Sequence, residues 1–328
     1  MFSYRAILKQ AWQITIRFKY LWLFGLFAVL TAAGGSWEYN LINQGLGQNL
    51  VDASYFQLER IISVFEVVSS FGSGMIAMLS GDIWGLLNAL TLLIISGIFL
   101  VVLVWIGVVS QGALINAVKK ILTKKKSSVD ISYRENIAVG NKNFWPVFGM
   151  NILIQIFVIA AFIITSLPLL LMSLKDMSGL SIAYVVLFVI FVPVATGLAL
   201  LMKYAISYQI FDNLGFFKSI EKGYKLFKKN WLISVEMAVI LFIVSFLASF
   251  LFATAISIAL FPVLFMSVII ESTWIIWVAG FIGLALTMFF GALLSTFQIT
   301  TWTNLFFILK ENSGKLAKLE RLFKKISK

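Results

Sequence analysis

The sequence contains no cysteine and no histidine. The first absence rules out disulfides and thiol chemistry. Together they remove the commonest transition-metal ligands and the commonest general base. Cysteine–histidine zinc sites, histidine-ligated haem and serine–histidine–aspartate hydrolysis are excluded by residue count alone. Charge is scarce too: 12% of the residues are Asp, Glu, Lys or Arg, against about 25% in soluble domains. Glycine-rich phosphate loops, metal-ligand spacings and catalytic dyads are not found. No cofactor, metal or catalytic residue is therefore expected, and the chain is not expected to be an enzyme.

Apolar surface is what the chain has in abundance. Of its 328 residues 61% are hydrophobic, 31 of them Phe, and the mean hydropathy is +0.98. Several runs exceed the ~20 apolar residues needed to cross a bilayer. The expected fold is an all-α integral membrane protein of six transmembrane helices. The spans are expected over 20–33, 83–109, 144–174, 181–204, 231–260 and 274–307, with 310–328 a basic cytoplasmic tail. Residues 34–82 are expected outside the bilayer, with helical spacing returning over 52–70. Residues 261–273 read as a turn containing Pro262 and Glu271. Pro168 and Pro193 fall within spans, where proline is tolerated and tends to kink the helix. A cleaved leader is the competing reading of the amino terminus, ending at Thr31-Ala32-Ala33-Gly34. The long patterned basic region with Trp12 and Trp22 argues for a retained span instead.

Orientation follows from the cations. Four precede the first span, seven lie in 110–143, six in 203–230 and seven from Lys310 onward, which is 24 of the 26. Only Arg60 and Lys175 fall on the other side of a six-span arrangement. Such segregation puts both termini in the cytoplasm of a plasma membrane. The net charge of +12 is accordingly a membrane-topology signal, and nucleic acid is not an expected partner.

The stretch 212–236 organises the chain. Over 214–229, Phe217, Ile220, Tyr224 and Phe227 are spaced as one apolar helical stripe. Lys218, Lys222, Lys225 and Lys229 form a second stripe, with Glu221 four residues before Lys225. Asp212 or Asn213 is placed to cap the start. An amphipathic helix of this kind lies in the interface with its lysines toward anionic headgroups. A docking surface for a protein partner of unknown identity is the alternative. Trp231 then marks the switch to an apolar run.

Three segments preceding the odd-numbered spans share a pattern. Tyr4, Leu8 and Ala11 align with Tyr133, Ile137 and Gly140, and with Phe216, Ile220 and Gly223. The implied unit is an interfacial helix, a span outward and a span back, giving three in–out–in hairpins.

The run from Tyr208 through Asp212, Gly215, Ser219 and Tyr224 to Trp231 resembles the loop before the fifth helix in a group of prokaryotic six-helix membrane proteins. That group includes the glycerophosphoryl diester phosphodiesterase membrane domain and related families. The Ala11-Trp12 lead with Trp22 and the 112–120 segment fit the same pattern. The resemblance implies six helices and a prokaryotic cell membrane. It does not imply phosphodiesterase activity, which in that family belongs to a separate soluble barrel.

Glu236 is the sharpest candidate for function. It lies five residues inside Trp231, roughly 7.5 Å along the helix axis. An intramembrane carboxylate is costly and marks a functional hypothesis; pairing with Lys203 is the structural alternative. The sixth span is polar in its cytoplasmic half, with Thr296, Thr300 and Thr303 on one face. Such groups line a cavity or bond between helices, at about 0.6 kcal/mol each. Gln111, Asn116, Asn151 and Gln155 are placed to meet that face. Gly280, Gly283 and Gly291 are expected to permit close packing. The expected function is a non-enzymatic membrane module organising lipid or protein partners. The alternative is a small-solute or lipid permease with Glu236, Lys203 and the threonines at its inner mouth.

Overall fold

The computed structural model describes residues 4–29, 83–124, 132–175, 180–270 and 273–311. Among them the chain forms nine α-helices and no strand. In chain order these are α1 Tyr4–Arg17, α2 Leu21–Ala28, α3 Ile83–Lys124, α4 Tyr133–Lys142, α5 Phe144–Lys175, α6 Leu180–Asp212, α7 Phe216–Lys229, α8 Trp231–Ile269 and α9 Thr273–Glu311. Five of them (α3, α5, α6, α8 and α9) are long and apolar enough to cross a membrane. The expected first span is described only over 20–29. Its remainder, the segment 34–82 and the tail beyond Glu311 lie outside the described residues.

The shortest of the five has 32 residues, about 48 Å of helix against roughly 30 Å of hydrocarbon. Each therefore has length to spare beyond a bilayer, and the elements run on past their expected limits. α6 continues to Asp212, eight residues beyond the expected end of the fourth span. The turn expected over 261–273 is largely helix: α8 runs through Pro262 to Ile269. Pro262 lies within an apolar run, where the other backbone N–H and C=O groups have no water to bond instead, so the helix continues through the one bond that proline removes.

The expected capping of α7 by Asp212 or Asn213 does not occur. Asp212 ends α6 and its carboxylate pairs with Lys310 at the end of α9. Asn213 adopts φ +53°, which breaks α6, and Gly215 at φ +83° opens α7 without a side-chain cap. Asn is among the few residues that tolerate that region, and Gly enters it freely.

The chain divides into two units. The first comprises Met1–Ser36, Gly107–Ile152 and Ala199–Lys328. It holds the large buried cluster, where Tyr4, Ile7 and Ala11 of α1 meet Tyr204 and Tyr208 of α6, Met237 of α8 and Phe306 of α9. Both α1 and α2 pack on α9. At Gly25 a Cβ would stand 2.0 Å from Thr296 Oγ1 and 2.5 Å from Ala292 O, so only glycine fits. The three glycines expected to play that part divide. Gly280 and Gly291 meet no atom of the described residues within 4 Å, whereas a Cβ at Gly283 would lie 3.1 Å from Leu260 Cδ1, a close approach of α9 to α8. The second unit comprises Trp37–Ile106 and Leu153–Leu198. Its helices expose apolar side chains such as Ile94, Ile98, Phe99, Ile156 and Val189. A soluble protein does not leave apolar patches of that extent in water.

Candidate functional site

The polar residues of the first unit come together where the short helices α1, α4 and α7 seat on the long ones. On α7 the buried residues are Ser219, Gly223 and Leu226. At Gly223 a Cβ would lie 2.9 Å from Ala205 N and 3.1 Å from its Cα. On α4 the buried residues are Asn136 and Gly140, and a Cβ at Gly140 would lie 2.3 Å from Val109 O. Ala11 is buried at the corresponding place on α1. The small residue of the sequence pattern is thus a point of close approach, as packing between helices in lipid favours.

The face of α7 that seats on the protein is not its apolar stripe. Phe217 is 83% and Tyr224 50% exposed. The face that seats must be small for the backbones to meet, so the aromatics turn aside toward the lysines. Lys218, Lys222, Lys225 and Lys229 are all exposed. Glu221 pairs with Lys225 at 2.5 Å, and that hydrogen bond holds its carboxyl below the ordinary carboxylate range.

A second shared position, three residues after the leading aromatic, was not legible in the pattern. It is Ile7, Asn136 or Ser219, and all three are buried. An amide of the supporting helix reaches each. Asn116 of α3 donates to Asn136 Oδ1 at 2.9 Å. Gln209 of α6 accepts from Ser219 at 2.9 Å. Asn304 of α9 reaches the carbonyl of Ile7 at 3.4 Å and Gln10 Oε1 at 3.2 Å. Chemical identity varies at the position, Ile, Asn and Ser, so no sequence match exposes it. Gln209 also donates to Asn143 Oδ1 at 2.9 Å, linking α6 to the end of α4. Asn143 and Asn230, the residues closing α4 and α7, each donate to the carbonyl four residues back.

The candidate residues divide among several places. Glu236 accepts a hydrogen bond from the Tyr4 hydroxyl, 232 residues away. Thr296 lies 2.7 Å from Ala292 O and 3.3 Å from Leu21 O. The Thr300 hydroxyl is buried without a hydrogen-bond partner among the described residues. Thr303 donates to Ile299 O at 2.7 Å. Lys203 is buried with its ammonium 4.7 Å from the centroid of Trp302, a cation–π geometry. Lys203 and Thr303 line one cavity with Gln111, Ser207 and Trp302, whereas Glu236, Thr296 and Thr300 do not line it. It holds about 20 Å³, room for roughly one water molecule. Asn151 donates to Gln111 at 2.9 Å; Asn116 turns to α4 instead, and Gln155 is exposed.

The described chain is therefore an all-helical protein with five helices able to cross a membrane and a hydrogen-bonded polar core in its first unit. Comparison with protein-family models, with curated proteins and with solved structures finds no match for this chain.

Proposed function

We propose that the protein is a non-enzymatic, multi-pass module of a prokaryotic plasma membrane that gathers anionic lipid at its cytoplasmic face. In this reading six spans form three in–out–in hairpins, both termini are cytoplasmic, and each hairpin begins with an interfacial helix. The resemblance to the glycerophosphoryl diester phosphodiesterase membrane-domain group belongs to the same reading. One observation carries it. Several of the polar groups that would line a permease mouth are engaged between helices: Gln298 with Ser245, Asn304 with α1 and Thr296 with α2. What they leave is a cavity for about one water molecule. The lysines of α7, by contrast, are exposed beside Phe217 and Tyr224. Cations flanked by aromatics suit an anionic headgroup layer.

The test measures spin-labelled phosphatidylglycerol held by the full-length protein in mixed bilayers. Changing Lys218, Lys222, Lys225 and Lys229 to Ser should weaken the preference for phosphatidylglycerol over phosphatidylcholine. About 1 kcal/mol is expected per lysine near an anionic surface, and the preference should weaken with salt. Solute flux through proteoliposomes that drops in Glu236→Gln would overturn the module in favour of a permease.

A further inference from the structure

Within the first unit, a groove of about 660 Å³ runs between α1, α8 and α9, within the roughly 300–1,000 Å³ range of small-molecule sites. Its floor is apolar: Ile240, Val244 and Ala248 from α8, Phe290, Leu293 and Leu294 from α9. Polarity is confined to the α1 rim, where Arg5 and Lys9 stand one helical turn apart and are both exposed. Neither makes an ion pair with a described residue. Trp12 continues the stripe, 46% exposed and edge-on to Phe297 at 5.9 Å. The Tyr4–Glu236 hydrogen bond ties the first turn of α1 to α8, so the rim is held above the floor.

We propose that this groove binds one anionic phospholipid, with Arg5 and Lys9 on the phosphate and an acyl chain along the α8–α9 wall. The proposal rests on the reading of the protein as a lipid-gathering module, and it adds a single site to what would otherwise be a diffuse field. The division of chemistry selects the ligand. A soluble metabolite needs polar groups around its whole outline, and the floor offers none. A neutral lipid has no use for two neighbouring cations, whereas a phosphate diester satisfies both. Trp12 at the junction of rim and floor sits where an indole prefers to be, between headgroup and chain.

The experiment is native mass spectrometry of the delipidated full-length protein, titrated with phosphatidylglycerol or with phosphatidylcholine of the same chains. One phosphatidylglycerol is expected to bind ahead of any phosphatidylcholine. Arg5→Gln with Lys9→Gln should weaken that first binding step roughly 30-fold, toward the phosphatidylcholine value. Both cations are exposed, so this variant retains the fold. Ala248→Trp, and independently Val244→Trp, should weaken both lipids by filling the floor. Equal affinity for the two lipids, or an unchanged first step in the Arg5/Lys9 variant, overturns the site. Weakening in the charge variant with no effect of either tryptophan overturns the acyl-chain assignment, and with it the groove. The four-lysine α7 variant separates the two readings. If it loses phosphatidylglycerol enrichment while the groove variants change nothing, the module stands and the groove does not; if neither responds, both fall.

Discussion

Helices α1 and α7 are built alike and seated differently. Each is 14 residues long, carries cations on one side and a small residue at the centre of its buried face. On α7 the small residue is Gly223, pressed to 2.9 Å from the backbone of Ala205 by the measure of an added Cβ. That contact closes the seam, and the cations and aromatics are turned outward along an open surface. On α1 the buried face is Ile7, Ala11 and Ile14, and one flank stays lifted from α8 and α9 over a groove. The same local pattern thus gives a charged surface in one case and a lined site in the other. The difference lies in what the supporting helices present, not in the short helix.

The largest expected contrast comes from filling the two spaces. Gly223→Leu should cost about 3 kcal/mol, the upper end of overpacking, because backbone stands where the side chain must go. Ala248→Trp places a larger side chain in the groove and should cost under about 1 kcal/mol, since the space is open. Thermal unfolding of both variants in the same detergent measures this. Equal costs would mean the seam and the groove are not distinct.

The tethers come next. Tyr4→Phe removes a hydrogen bond to a carboxylate, worth about 1.5–3 kcal/mol, whereas Ser219→Ala on α7 removes a neutral one worth about 1 kcal/mol. Hydrogen exchange over α1 and α7 reads the loss at each helix separately. A larger effect at Ser219 would invert the comparison.

The smallest effect concerns pH. Glu221 has its carboxyl lowered by Lys225, so the pair stabilises α7 above the ordinary glutamate range. That contribution is lost as pH falls through the lowered value. Amide protection of α7 should decline on acidification past about pH 4.3, and Glu221→Gln should remove the part of the decline owed to this pair. An identical acid response in the variant would show that the pair contributes nothing.

Much of the architecture was legible because its causes are local. An apolar run longer than a bilayer is thick declares itself within some twenty residues, and α3, α5, α6, α8 and α9 appear where such runs lie. The small residue at the centre of α4 and α7 was legible as well, being fixed by spacing alone. The polar half of α9 could be seen but not interpreted. Whether Thr296 or Asn304 faces a cavity or a neighbour depends on α1 and α2, which lie more than 270 residues earlier. The apolar stripe of α7 could likewise be seen without showing which face seats on the protein: Phe217 and Tyr224 stay exposed, and Ser219 joins Gly223 on the face where the backbones approach.

By itself the sequence determined the helices, their apolar length and the clustering of cation-rich segments, since transfer free energy and helical period act on neighbours in the chain. Only the tertiary structure decided that Tyr4 would meet Glu236, that Ile7, Asn136 and Ser219 would share a role, and that Arg5 and Lys9 would overhang a groove. Those outcomes depend on how closely two backbones can approach, and that is a property of a pair of helices that neither carries alone.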